Sequence, residues 1–213
     1  APSVLPVVWS GSTGQATTLG LQDALGQGGS SGAVITLNNT GLAAGLVLQP
    51  SGFGQQVERP AIWNLDSGAL RLLPDLASLL PPTPFGGVHA AYNGRLLALN
   101  DAGQSLGVFT DAQSQQQRFF VWDNAASQFS LVPITGNGGA VFMNAQGSVV
   151  FNDGNAGTAA VWSAADSSVT SLGGRTQVQA VAINAGGQVV GNGFGGGIAN
   201  NSAMLWEAGT ATD

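Results

Sequence analysis

Residues 158–193 read TAAVWSAADSSVTSLGGRTQVQAVAINAGGQVVGNG and contain the two elements from which the chain is built. In the first element an apolar strand ends at Trp162 and is followed by a polar turn and a second strand. In the second element the pattern Asn-x-x-Gly, which begins at Asn184, lies between two apolar strands. The Trp element recurs at Trp9, Trp63, Trp122 and Trp206, and the Asn element recurs at Asn38, Asn100 and Asn144. The tryptophans recur at intervals of 40 to 59 residues, and internal repetition of this kind is typical of solenoids, propellers and arrays.

Each Asn element predicts a β-hairpin with a tight turn. Asn at the first position of a type I turn caps the turn through its side chain, and Gly at the fourth position tolerates a positive φ. These hairpins are expected near residues 33–48, 88–109, 140–151 and 178–194. The Trp elements predict a second set of hairpins near residues 3–20, 59–73, 118–132, 158–172 and 202–213.

One Asn hairpin and the Trp hairpin that follows it form a four-stranded antiparallel unit, close in size to a propeller blade. We therefore predict an all-β, propeller-like array of about four blades plus a surplus N-terminal hairpin, with residues 1–213 as a single repeat domain. A Trp at one fixed strand position in every repeat is first a packing element, so all five indoles are expected to be mostly buried between blades. Residues 75–80, which precede two prolines, give the one helical signal.

The surplus hairpin around Trp9 has no Asn hairpin to complete its blade. An apolar hairpin of this kind exposes a sheet edge, which proteins seldom leave unprotected. We expect it to pair with another copy of the chain and so to form a homo-oligomer or fibre. The alternative is that the chain is a fragment of a longer protein.

Residues 183–191, INAGGQVVG, follow a Trp-ended strand, and this combination resembles the HAF repeats of bacterial extracellular proteins. The resemblance covers nearly the whole chain and is strongest from residue 118 onward. The His-Ala-Phe tripeptide is absent, because RFFV, TAAV and SAML precede the last three tryptophans. The resemblance implies a propeller-like fold and an exported or surface location, and it supplies no catalytic residues.

Composition excludes several classes of protein. The net charge is −6, with five Arg and no Lys, so a nucleic-acid backbone or an anionic membrane would be repelled. The absence of Cys excludes disulfides, thiolate zinc sites and cysteine nucleophiles. No apolar run is long enough to span a bilayer, and no cofactor is predicted. A polar, nearly uncharged chain that begins Ala1-Pro2 suggests export and an extracellular or cell-surface location.

Candidate chemistry is sparse. His89 is the only histidine and no Gly-x-Ser-x-Gly motif accompanies it, so we predict a strand-end role rather than catalysis. Most carboxylates fall in turns, where capping explains them, and a glycoside hydrolase is the least favoured function. The segment 152–157 resembles half of a calcium loop but lacks the bidentate Glu, so we predict no metal site.

Two function classes remain, and the first is favoured: an exported, non-enzymatic structural, adhesive or matrix protein. The second is a carbohydrate-binding module that uses the inserted loops 49–58 and 74–89, because insertions in repeat proteins become loops on the binding face. Its candidate ligand-binding residues are the aromatic and basic side chains in or beside those loops: Phe53, Arg59, Phe85, His89, Tyr92 and Arg95.

Overall fold

A computed structural model describes residues 4–50, 56–80, 90–134, 138–154, 157–195 and 202–212. These residues form five antiparallel sheets and one short 3-10 helix, so the predicted all-β fold is confirmed. The 3-10 helix, Leu76–Leu79, lies in the predicted helical segment. The side chain of Asp75 caps it by accepting a hydrogen bond from the Ala77 N–H.

The first sheet, which we call the N-terminal hairpin, contains β1 (Val7–Trp9) and β2 (Ala16–Thr18). Four four-stranded sheets follow, which we call blades 1 to 4, and in each the strand order follows the sequence. Blade 1 contains β3 (Ser31–Leu37), β4 (Leu42–Pro50), β5 (Gln56–Asn64) and β6 (Leu70–Leu72). Blade 2 contains β7 (Ala91–Leu99), β8 (Gln104–Asp111), β9 (Gln117–Asp123) and β10 (Gln128–Val132). Blade 3 contains β11 (Gly139–Met143), β12 (Val149–Asp153), β13 (Thr158–Trp162) and β14 (Val169–Leu172). Blade 4 contains β15 (Gln177–Ile183), β16 (Val189–Phe194), β17 (Ser202–Glu207) and β18 (Thr210–Thr212).

The Asn turns join the first and second strands of each blade, as predicted. The Asn144 Oδ1 accepts hydrogen bonds from the backbone N–H groups of Gln146 at 3.0 Å and Ser148 at 2.9 Å. The fourth residue, Gly147, has a φ of 80°, a left-handed conformation that favours glycine. The same φ region is occupied by the glycines of the other three turns, so side-chain capping and a positive φ shape all four.

A β-bulge interrupts the first strand of every blade at the same distance from the turn. In blade 1 the register shifts between Val34 and Thr36, and in blade 4 it shifts between Ala180 and Ala182. Blades 2 and 3 show the equivalent shift. Each bulged residue therefore lies three positions before the turn Asn, where it bends the strand.

Two compact units, Ala1–Gln117 and Arg118–Asp213, are distinguished by their internal contacts. In the first unit, β7 packs against β3, β4 and β5. In the second unit, β15 packs in the same way against β11, β12 and β13. The first strand of one blade thus lies on the face of the blade before it in both units.

Candidate functional site

Every blade has two faces, and the tryptophans occupy only one of them, which we call the Trp face. Trp63 and Trp206 are fully buried. The Trp63 Nε1–H donates to the Gly20 carbonyl at 2.8 Å, and the Trp206 Nε1–H donates to the Gly173 carbonyl at 2.7 Å. Gly20 and Gly173 occupy the same repeat position, after the last strand of the preceding hairpin. The N-terminal hairpin therefore covers the Trp face of blade 1. In the same way β13 and β14, the outer half of blade 3, cover the Trp face of blade 4.

Trp9 departs from the predicted pattern. The tryptophans of blades 1 to 4 are at most 1% exposed, whereas Trp9 is 67% exposed, so the prediction that all five are buried is wrong for this one. Neighbouring side chains on a strand point to opposite faces, and Val8 packs against the apolar core of blade 1. Trp9 therefore points away from that core, and no described residue covers it to the extent seen in the blades.

The opposite face of each blade, which we call the reverse face, is marked by the residue six positions after the turn Asn. In blades 1 to 3 this residue is Ala44, Leu106 or Val150, and none of them is more than 1% exposed. The equivalent residue in blade 4, Val190, is 47% exposed. The reverse face of blade 4 is therefore open where those of the other blades are covered.

Polar contacts connect two pairs of Asn turns. The Asn38 Nδ2 donates to the Asn100 carbonyl at 2.9 Å, and the Asn144 Nδ2 donates to the Asn184 carbonyl at 3.1 Å. Asn38, Asn100 and Asn144 are buried, whereas Asn184 is exposed. Its Nδ2 donates within its own turn, to the Gln188 Oε1 at 2.7 Å. Each turn Asn thus caps its own turn, and Asn38 and Asn144 also reach a second turn.

A further polar contact joins blade 3 to the first strand of blade 4. The Asn152 side chain donates to the Ala180 carbonyl at 3.0 Å and accepts from the Ala180 N–H at 2.8 Å. Asn192 occupies the equivalent position in blade 4 and is exposed. Close to it, Ala182, Ile183, Asn184, Gln188, Val190 and Leu205 line a shallow groove of 170 Å³.

Sequence reasoning missed this surface. Aligning the Asn hairpins places Val190 at the position of Val150 and Asn192 at that of Asn152, but the alignment contains no information about which face a neighbour covers.

Three of the six predicted ligand-binding residues, Phe53, Phe85 and His89, lie outside the described residues. Of the other three, Arg59 and Arg95 lie near one groove. The Arg95 guanidinium forms an ion pair with Glu58 at 3.4 Å.

That groove measures 240 Å³ and is lined by Val57, Glu58, Arg59, Pro60, Asp75, Leu76, Ala91 and Gly94. Arg59 donates to the Gln49 Oε1 at 3.3 Å and to the Leu73 carbonyl at 3.0 Å. Tyr92 is not part of the groove lining, and its hydroxyl lies 2.6 Å from the Gln115 Oε1. The structure therefore associates two of the predicted residues, Arg59 and Arg95, with the groove, and Tyr92 with a different loop.

Most loop carboxylates are engaged in local hydrogen bonds. Asp23 accepts from two backbone N–H groups, and Asp75 caps the 3-10 helix. The Asp111 carboxylate accepts from the Gln113 N–H and the Ser114 hydroxyl and is buried. These contacts explain each of the three carboxylates by turn geometry.

Two exposed turn carboxylates have lowered pKa values. The Asn39 side chain and then its backbone N–H donate to Asp101, and these bonds hold the pKa of Asp101 below its ordinary range. The backbone N–H of Ser168, followed by the hydroxyls of Ser168 and Ser163, lowers the pKa of Asp166. Hydrogen bonding to the charged form causes both shifts.

Neither a metal centre nor a membrane helix is found in the described part of the chain. No group of three or more His, Asp or Glu side chains is placed to hold a metal ion there. Within the same residues, no helix has the length and apolar character needed to cross a bilayer.

Comparison with solved structures finds a similarity of fold. The chain is similar to the crystal structure of TolB from Acinetobacter baumannii, with a TM-score of 0.51 and 13% identity. The similarity covers 97% of this chain and 47% of the TolB chain, so the chain spans about half the length of that protein. The β-propeller domain of the trilobed protease from Pyrococcus furiosus, described as having an open velcro topology, gives a TM-score of 0.34 at 10% identity over 84% of this chain and 69% of that one. No family model and no curated protein sequence matches the chain, so the resemblance to HAF repeats stays a prediction. The fold is that of a propeller-like array of four-stranded blades.

Proposed function

We propose that this chain is an exported, non-enzymatic structural repeat protein that self-associates through its N-terminal hairpin. The observation that carries the proposal is the 67% exposure of Trp9, at a position where the other four repeats bury the indole. Trp is a frequent anchor of protein interfaces because it combines a large apolar surface with one hydrogen-bond donor. An exposed indole at the edge of a two-stranded sheet is suited to association with another protein surface.

Charge and composition support the same proposal. Only 8% of the residues are charged, so little electrostatic repulsion opposes contact between copies. The engagement of Asp23, Asp75 and Asp111 in turns supports a non-enzymatic role, since these carboxylates have evident structural partners. Export is supported by the polar, Lys-free and Cys-free composition.

The proposal is tested by measuring the mass of the native particle by analytical ultracentrifugation at micromolar concentrations. We expect the unsubstituted protein to be oligomeric and the Trp9→Ser variant to be monomeric. Leu25→Ser is the matched control, because Leu25 is also a highly exposed apolar side chain, and it should leave the mass unchanged. A monomeric unsubstituted protein would refute self-association. Fractionation of the native cell tests export separately, and recovery in the cytoplasm alone would contradict it.

A second candidate function is carbohydrate binding, and the groove beside β5 and the 3-10 helix favours it. Its volume of 240 Å³ is below the range of drug-sized ligand pockets, so a small ligand such as a monosaccharide is the occupant we propose. Glu58, Arg59 and Asp75 supply acceptors and donors for hydroxyl groups. We expect a glycan array to show binding that Glu58→Ala abolishes and that Asp123→Ala, on a turn outside the groove, preserves. A glycan array without signal would contradict carbohydrate binding, and the structural role would be the remaining proposal.

A further inference from the structure

The reverse face of blade 4 repeats, without its neighbour, a surface that blade 3 uses to hold blade 4. We infer that this face, defined by Val190, Asn192, Ala203 and Leu205, is the receiving surface for the N-terminal hairpin of a second copy. The inference rests on the proposed self-association and names the partner surface for Trp9.

The contact between blades 3 and 4 provides the template. Trp206 lies in one apolar cluster with Val150 and Ala159, and Val161 packs against the same cluster. On blade 4 the equivalents of those three residues are Val190, Ala203 and Leu205. In β17, Ala203 and Leu205 lie three and one positions before Trp206, as Ala159 and Val161 lie before Trp162 in β13.

The exposed fractions show that the receiving surface is less covered than its counterpart on blade 3. Val150 is fully buried and Val190 is 47% exposed, although the two occupy the same position in their strands. Ala203 is exposed whereas its counterpart Ala159 is buried, and Leu205 is half-buried as its counterpart Val161 is. Filling the face with an indole would remove this apolar surface from water, which stabilises association.

The N-terminal hairpin presents the complementary surface. Val7 and Trp9 lie on one face of β1, opposite Thr18 and Ala16 of β2 in the register. This is the face that points away from blade 1, because Val8 packs into the core on the other side. In blade 4 the equivalent of Trp9 is Trp206, which contacts the reverse face of blade 3. The hairpin therefore presents the Trp9 indole as blade 4 presents Trp206 to the reverse face of blade 3.

The residues that define the receiving surface and those of the N-terminal hairpin are uncharged, and the nearest carboxylate on the same face of β17, Glu207, already accepts a hydrogen bond from the Gln188 side chain. The two surfaces also lie at different ends of the repeat series and are unlike each other. A contact between unlike surfaces is heterologous, and it leaves one free surface at each end of the assembly. Successive copies are then added head to tail, giving an open chain or a ring.

Asn192 distinguishes the N-terminal hairpin from a complete blade as the occupant of the receiving surface. Its counterpart Asn152 binds the backbone of β15, the first strand of a blade. The N-terminal hairpin consists of β1 and β2, which correspond to the third and fourth strands of a blade, so neither of its strands is a counterpart of β15. Asn192 is therefore not required when the hairpin is the occupant, and it would be required if a complete blade bound there.

The test combines four single variants in the full chain, each measured by analytical ultracentrifugation and circular dichroism. Trp9→Ser removes the donor surface and Val190→Glu blocks the receiving surface, so each variant alone should be monomeric. Val169→Glu is the matched control for Val190→Glu, because Val169 is 49% exposed on a different strand, and it should assemble normally. Asn192→Ala should also assemble normally.

Mixing provides the decisive result. Trp9→Ser retains the receiving surface and Val190→Glu retains the donor, so an equimolar mixture should form 1:1 dimers that grow no further. Dimer formation would also show that both variants are folded. A mixture that stays monomeric would overturn the inference.

The remaining outcomes separate the two proposals. If Val190→Glu assembles as the unsubstituted protein does while Trp9→Ser does not, self-association stands and the receiving surface is elsewhere. If Asn192→Ala prevents assembly, a first strand and not the hairpin occupies the face. A monomeric unsubstituted protein would refute both self-association and this inference.

Discussion

Truncation of Trp206 to Ala tests whether the repeated tryptophans hold the blades together. Trp206 is fully buried, and replacing such a residue with Ala removes its transfer free energy and leaves a cavity, at a cost of about 3 to 5 kcal/mol. The lost bond to the Gly173 carbonyl contributes to this total, at about 1 kcal/mol. We expect Trp206→Phe to cost less than Trp206→Ala, because it keeps a ring in the cavity and loses mainly that bond.

Trp9→Ala is the matched control within the same chain. A Trp side chain buries about 200 Å² when fully enclosed, so the one-third of Trp9 that is covered corresponds to about 70 Å². At about 25 cal/mol per Å², its removal should cost less than about 2 kcal/mol. The free energies of unfolding are obtained from urea titrations followed by circular dichroism, at concentrations low enough to exclude association. Equal losses for Trp206→Ala and Trp9→Ala would refute the packing argument.

Four further expectations follow from individual contacts. Ser105→Ala should raise the free energy of unfolding by about 1 kcal/mol, because the hydroxyl is buried without a hydrogen-bond partner among the described residues; a loss of stability in a urea titration would contradict this. Asn144→Ala should destabilise the protein by about 1 kcal/mol more than Asn184→Ala, since only the first removes a part-buried hydrogen bond between turns; equal costs in thermal or urea unfolding would argue against that role. NMR titration should give Asp101 a pKa below that of an ordinary Asp carboxyl, so its stabilising effect is present above the ordinary Asp pKa and is lost as the pH falls through the lowered pKa. A chelator should leave the melting temperature unchanged, because Asp153 is not predicted to belong to a metal site; a decrease would indicate a bound cation.

The self-association proposed here uses the same contact that joins blades within the chain. A repeat protein buries each blade face against a neighbour, so an uncovered face retains the shape and polarity of an internal contact. Trp9 and Val190 occupy positions that are buried in the other repeats. Exposed apolar surface of this kind marks an interaction site when it is contiguous and complementary to another surface.

The local structure of this protein was predictable because it is encoded in short, repeated patterns. Asn-x-x-Gly specifies a capped turn with a left-handed Gly, and the structure has a turn of this form at all four positions. The Trp-ended strands and the 3-10 helix near Asp75 were found from strand composition and helix-capping rules. Pairing an Asn hairpin with the next Trp hairpin was sufficient to predict four-stranded blades.

Neither the bulges nor the groove could be predicted from the types of the residues that form them. A bulge three residues before each turn Asn has no distinct residue type, since Ile35, Leu97, Val141 and Val181 also suit a regular strand. The sequence predicts a ligand-binding role for Arg59 only because this residue lies beside the inserted loop 49–58. Its actual partners, Gln49 and the Leu73 carbonyl, come from neighbouring segments of blade 1.

The sequence by itself determined which residues form hairpins, how the hairpins combine into blades, and that the repeats are held by an indole. Only the tertiary structure decided which indole is exposed. Trp9 and Trp206 are preceded by similar apolar strands, and the difference in their burial arises because the outer half of blade 3 covers Trp206 whereas no described sheet covers Trp9 to that extent. Burial is a property of the neighbour as well as of the residue, and a local pattern does not specify the neighbour.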